Sequence, residues 1–306
     1  MRNLISVAIL APAILLVGCS DSSNFYPPQG NNNTAKGKVY DGYLTGAQVC
    51  VDENINRACD AGEPSVVTDL NGDFTFIGLT DRQAAQPLVV QVIAGTLDKD
   101  TGVAPPADLK FIAPAGSTVV SAFSTIIQFK IEDELAGGST KTLAQLKADA
   151  TAALATELGV TPMDLTSYDP IKAKNNAALN TADRERAAKL HIANQILSEQ
   201  IATLLPQAEA NASPANDAAA MSAVIGSLDA VDVLTAVNTD LAAMSLVDLI
   251  ALTDTTSVTT QTAPVVPNAA AILIYANQQA AILAAFNSRL PAAPATGGTG
   301  TGGGGG

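Results

Sequence analysis

Twelve residues carry the clearest chemistry in this chain: Asp52-Glu53-Asn54-Ile55-Asn56-Arg57-Ala58-Cys59-Asp60-Ala61-Gly62-Glu63. Counted from Asp52, oxygen-bearing side chains fall at the first, third, fifth, ninth and twelfth places: Asp52, Asn54, Asn56, Asp60 and Glu63. Ala58, at the seventh, offers its backbone carbonyl. This is the ligand spacing of an EF-hand-type calcium loop, where a hard cation collects oxygen donors from alternate residues and a terminal glutamate closes the shell. The sixth place, where the chain turns sharply and glycine is usual, holds Arg57. A non-glycine residue in the left-handed region costs about 1–2 kcal/mol. The alternative is a solvated polar turn that binds nothing. Both flanks read as strand or turn, so the expected role of calcium is structural rather than sensory.

Other chemical candidates are weaker. His191 is the only histidine and lies between Leu190 and Ile192 in a helical pattern, where a packed imidazole is commoner than a catalytic base. Asp69, Asn71 and Asp73 suit a second cation, but are equally the residues a tight turn prefers. Glu132-Asp133-Glu134 reads as a charged surface cluster, and Asp183, Glu185 and Lys189 as a solvated helix face. The chain carries no P-loop, dinucleotide fingerprint, HExxH or GxSxG pattern. It is expected not to be an enzyme.

At the amino-terminal end, Arg2 precedes an apolar run, Leu4 to Val17, which is shorter than the roughly 20 residues of a membrane span. The run ends in Leu16-Val17-Gly18-Cys19, a quartet that resembles a bacterial lipobox. The resemblance implies a lipoprotein signal peptide over 1–18, cleavage before Cys19, and lipid on its thiol and new amino group. Read instead as an ordinary secretory signal, the stretch leaves Cys19 unmodified. By the same resemblance, Ser20 after the cysteine implies sorting to the outer membrane, on its periplasmic or outer face. More than one acyl chain makes such an anchor stable. With Cys19 assigned to lipid, Cys50 and Cys59 remain as an even pair in an oxidising compartment, expected to form a disulfide; two free thiols are the alternative.

These residues need elements to hold them. Residues 19–36, Asn-rich with Pro27-Pro28, have no apolar period and read as the lipidated cysteine and its flexible tether. From 37 to about 115 the pattern is β. Val39-Tyr40, Ala47–Val51, Ser65–Thr68, Phe74–Ile77, Leu88–Ile93 and Lys110–Ala113 have strand composition, with Asn71-Gly72 as a hairpin signal. Short strands at this spacing predict a small antiparallel sandwich. The stretch from Gly37 to Phe76 resembles B-type repeats of bacterial adhesins and carboxypeptidase-regulatory-like modules. The resemblance rests on the small-residue turn before Ala47-Gln48-Val49, the D-x-N-x-N loop, and Thr68-Asp69-Leu70-Asn71-Gly72-Asp73-Phe74. It implies a transthyretin/Ig-like β-sandwich with bound calcium, acting as a rigid spacer or presenting module.

Near Thr118 the period changes to 3.6. Residues 116–290 read as an α-helical bundle. Val119, Val120, Phe123, Ile126, Ile127, Ile131 and Leu135 share one face, and Gly137-Gly138 ends that helix. Thr142 caps a second helix. A long helix runs from about Ala182 to Leu205, stopped by Pro206, and further helices are expected over 217–226, 229–242, 245–252 and 268–289. The tail, 291–306, is Pro/Ala then Gly/Thr and is expected to be disordered. The fold class is therefore α+β.

Composition bounds the partners. The chain has 29 acidic against 16 basic residues, a formal charge of −13, which argues against nucleic acid. With no Trp and few aromatics, a large sugar-stacking platform is not expected. Surface architecture or adhesion, with the membrane as partner through the lipid and an envelope protein or surface polymer beyond it, is the first functional expectation. The alternative is a ligand- or polymer-binding accessory lipoprotein of an envelope transport or degradation system, which a groove lined by Tyr40, Tyr43 and Phe76 would favour.

Overall fold

The computed structural model describes residues 32–252 and 255–292. Residues 1–18, Cys19, most of the expected tether and residues 293–306 of the tail lie outside the described residues. The architecture is mixed α+β. The strands are β1 (Asn33–Val39), β2 (Leu44–Thr45), β3 (Gln48–Val51), β4 (Ser65–Val67), β5 (Asp73–Leu79), β6 (Leu88–Gln91), β7 (Leu97–Asp98), β8 (Lys110–Ala113) and β9 (Val119–Val120). One-turn helix α1 (Asp81–Ala84) follows β5. The later helices are α2 (Ala122–Ala136), α3 (Leu143–Glu157), α4 (Pro170–Lys174), α5 (Thr181–Asn211), α6 (Asp217–Ser227), α7 (Ala230–Asp240), α8 (Leu246–Ala251) and α9 (Ala269–Asn287).

The strands form a four-stranded sheet in the order β4-β3-β6-β8, a three-stranded sheet in the order β5-β1-β9, and the small pair β2-β7. Val49, Cys50 and Val51 of β3, Leu88, Val89 and Val90 of β6 and Phe111, Ile112 and Ala113 of β8 are all buried. Such unbroken apolar runs fit strands covered on both faces. β1 runs antiparallel to β5 and parallel to β9. It includes Asn33–Lys36, four residues that composition assigns to the tether. Backbone pairing with β5 holds them, and that pairing needs no apolar side chain. Gly37 lets β1 pass between its neighbours: a Cβ there would lie 2.7 Å from Thr118 O and 2.8 Å from Phe74 Cζ.

Asn71-Gly72 does not close a hairpin. β4 pairs with β3 and β5 pairs with β1, so the turn carries the chain from one sheet to the other. Gly72 has a φ of 74°, and its carbonyl accepts from Val39 N at 2.9 Å, which ties the turn to β1 instead. Val119 and Val120, expected on a helix face, form β9. Helix α2 starts only after Ser121, whose side chain accepts from Ser124 N in a capping box. Thr142 caps α3 as expected, with Gln145 completing the box. Pro206 does not stop α5, which runs on to Asn211 with Pro206 inside it. Proline removes one ladder bond, and the burial of Leu204, Leu205 and Ala208 on the same helix offsets that loss. Helices and sheets share one large apolar core that runs in sequence from Val39 to Phe286, and Tyr40, Val119 and Ile171 form a small second cluster. Helix α9 is long and apolar enough by composition to cross a membrane; it packs against α2 and α6.

Candidate functional site

The loop 52–63 leaves the sheet at the end of β3 and returns to β4. Its first residue, Asp52, is buried, and its carboxylate accepts from Asn56 N (3.1 Å) and Arg57 N (2.9 Å). Asn54 Oδ1 accepts from Asn56 N at 2.9 Å, and Asn56 Oδ1 from Ala58 N at 2.9 Å. These successive turns coil the segment tightly. They require left-handed backbone at alternate residues: Ile55 has φ 57° and Arg57 φ 61°. Neither is glycine, so both carry strain. Burial lifts the Asp52 carboxyl to about 6, against the lowering effect of the Arg57 and Asn56 amides.

The far half of the loop closes on itself. The side-chain amides of Asn54 and Asn56 each donate to Asp60 Oδ2 at 2.7 Å. Glu63 accepts from Glu53 N (2.8 Å) and Asp60 N (3.0 Å), one with each oxygen, and so spans the mouth of the loop. Cys50 and Cys59 form a disulfide with a Cα–Cα distance of 5.5 Å. It ties the loop's seventh-to-ninth stretch to β3. Among the described residues no three His, Cys, Asp or Glu side chains gather as a metal-holding group. The donor set itself is three carboxylates, two amide oxygens and one carbonyl, the hard-oxygen chemistry calcium takes. Each amide oxygen that accepts one N–H keeps a second lone pair.

Spacing alone marks Arg57 as a defect. In the structure its left-handed backbone turns the side chain into the helices. The guanidinium is buried, paired with Glu132 of α2 and donating to Ala218 O of α6. Ile55 is buried in the core beside it, and Gln279 of α9 donates to Ile55 O at 2.8 Å. Glu132, expected at the surface with Asp133 and Glu134, is buried; the Arg57 charge and the Gln128 amide at 2.9 Å satisfy it. The loop therefore plugs the β elements into α2, α6 and α9.

A second polar cluster, unmarked by any motif, lies where residues 40–43 and 98–100 meet α4 and α5. His191 is fully buried. Its Nδ1 lies 2.9 Å from Lys174 Nζ, and its Nε2 lies 2.6 Å from Asp41 O and 3.3 Å from Asp100 Oδ2. An ammonium can only donate, so Nδ1 is the acceptor and Nε2–H the donor. Burial, and then the Lys174 charge, hold the imidazole near 3, so it is neutral at ordinary pH. Burial also lowers Lys174 and raises Asp41, whose buried Oδ1 has no hydrogen-bond partner. The sequence could not show this cluster: its members come from segments up to 150 residues apart.

Asp69 Oδ1 accepts from Asn71 N (2.7 Å) and Asp73 N (3.0 Å), which is turn geometry. Tyr40 and Phe76 are buried, and Tyr43 donates its hydroxyl to Asp169 at 2.8 Å. The chain matches no family model, no curated protein and no solved structure.

Proposed function

We infer that this protein is a non-enzymatic lipoprotein of the cell envelope, anchored in the outer membrane through lipid on Cys19, with a role in surface architecture or adhesion. Its three- and four-stranded sheets act as the two layers of a transthyretin-like sandwich ahead of a helical bundle. Calcium in loop 52–63 is structural, held by Asp52, Asn54, Asn56, Asp60 and Glu63 with the Ala58 carbonyl. One observation supports the metal part of this reading: two non-glycine residues, Ile55 and Arg57, are left-handed at alternate places in the loop. That strain is what a chain must accept to wrap oxygens around one centre. The cation would neutralise the Asp52 carboxylate, which burial penalises. It would also hold the plug in register with α2.

The test is thermal unfolding of the full chain carrying Cys19→Ser, with calcium and with chelator. Calcium raises the melting temperature by several degrees, because a ligand bound only to the folded state stabilises it by mass action. An unchanged melt removes the metal from the proposal. The anchor is tested separately: Cys19→Ser releases the protein from membrane fractions, and a variant that still pellets with membranes ends the lipid assignment.

A further inference from the structure

A cavity of about 820 Å³ opens between α2, α3, the segment 161–164 and the end of α9. Its size falls inside the roughly 300–1,000 Å³ range of small-molecule sites. Ile131, Leu143, Ala148, Ala152, Met163 and Phe286 give it apolar walls. Ala144, Ala148 and Ala152 recur every fourth residue along α3, and all three are exposed, so one helix face is left uncovered beside the cavity. Two cations share the same cavity, Lys147 and Arg289.

Neither cation is paired with a carboxylate among the described residues. Lys147 Nζ donates to Ala115 O at 3.0 Å and keeps two further N–H donors. Arg289 donates to the carbonyls of Lys141, Ser139 and Ala285 and to Ser288 Oγ at 3.4 Å, which leaves one of its five N–H groups for a ligand. Asp164 also lines the cavity, and its charge acts on Lys147 from beyond ion-pair distance; its Oδ1 accepts from Thr166 N (2.9 Å) and Thr166 Oγ1 (2.7 Å), and its second oxygen leaves Lys147 unpaired for a ligand's head. Thr151 Oγ1, on the cavity wall, is buried without a partner. In a chain of net charge −13, two cations beside an apolar hollow are out of keeping with the surface at large.

We propose that this cavity binds a single-chain anionic amphiphile, its acyl chain lying along the alanine face of α3 and its carboxylate or phosphate head on Lys147 and Arg289. The walls supply the affinity through burial of methylenes. The cations select the charged head, since hydrogen bonds to charged groups are the stronger kind. Burial that lowers the Lys147 ammonium works in the same direction: an anion placed there relieves the cost of charging it.

The full chain carrying Cys19→Ser, which has no lipid of its own, is titrated with dansyl-undecanoic acid and then with competitors. Palmitate and lysophosphatidic acid displace the probe, and whichever displaces better identifies the head group. Hexadecanol, of equal chain but uncharged, competes about tenfold more weakly or worse. Lys147→Met lowers palmitate affinity by about tenfold and leaves hexadecanol unchanged, while Lys147→Arg restores most of the loss. Ala148→Trp fills the cavity from an exposed position, so it blocks every competitor at an unchanged melting temperature. Four results overturn the proposal: no displacement by either anion, equal palmitate affinity in Lys147→Met, unimpaired binding in Ala148→Trp, or a stable dimer whose second copy covers the α3 face.

Discussion

Arg57 and Glu132, 75 residues apart in the chain, form an ion pair with both side chains buried. It joins the tip of the 52–63 loop to α2. Taking one partner away leaves the other charge in the core. Arg57→Ala or Glu132→Ala alone is therefore expected to cost about 3–5 kcal/mol. The double variant should cost clearly less than the sum, because no unpaired charge remains. Urea denaturation of the four proteins checks this; additive losses would show that the two residues act independently.

The Cys50–Cys59 bridge spans nine residues of sequence. A crosslink this short restricts the unfolded chain by about 2–3 kcal/mol. The Cys50→Ala/Cys59→Ala chain should lose that much stability in chelator. It should also gain less from calcium, since the loop must then be ordered at the expense of binding. Melting curves with and without the metal measure both effects.

His191 sets an acid limb. Its folded value near 3 lies below the usual 6.5, so the unfolded chain binds the proton more readily. Its contribution to stability is complete above pH 6.5 and is lost as pH falls toward 3. At about 1.4 kcal/mol per unit, the loss amounts to several kcal/mol. Asp41, raised by burial, has the opposite slope in its own range. The clean observable is the difference between wild type and His191→Gln, in stability measured from pH 7 to pH 4. That difference should shrink steadily with falling pH, and a constant difference would contradict the assignment.

Gly37 has no room for a side chain. Gly37→Ala would push a methyl against the Thr118 carbonyl, a backbone atom that cannot swing away. The expected loss is about 1–3 kcal/mol, with β1 separating from β9. Hydrogen exchange at Tyr40 N, which donates to Val120 O at 3.1 Å, would report the separation.

Much of the secondary structure was written locally. Thr142 with Gln145 announces α3, and the runs at Leu88 and Lys110 announce β6 and β8. Local rules failed where pairing was decided at a distance. Asn71-Gly72 carries the strongest short hairpin signal, but β3 and β1 claim the two strands it joins. Val119-Val120 continues the apolar spacing of α2, but lies beside β1 as a strand. At the loop, spacing picked out the oxygens, and the count of cysteines picked out the Cys50–Cys59 pair. It gave no hint that Arg57 would use its left-handed backbone to reach Glu132, because no periodicity connects a turn to a helix face across 75 residues. The hollow beside α3 was invisible for the same reason: its walls come from helices that meet only after folding.

β9 belongs by hydrogen bonding to a sheet of the first half and by sequence to the second, since it follows β8 and directly precedes the cap of α2. Cutting the chain at residue 115 would strip an edge from that sheet and bare the apolar faces on either side of the break. The strands and helices are stitched through one another, and such a protein must be made and inherited as one piece rather than traded as separable parts.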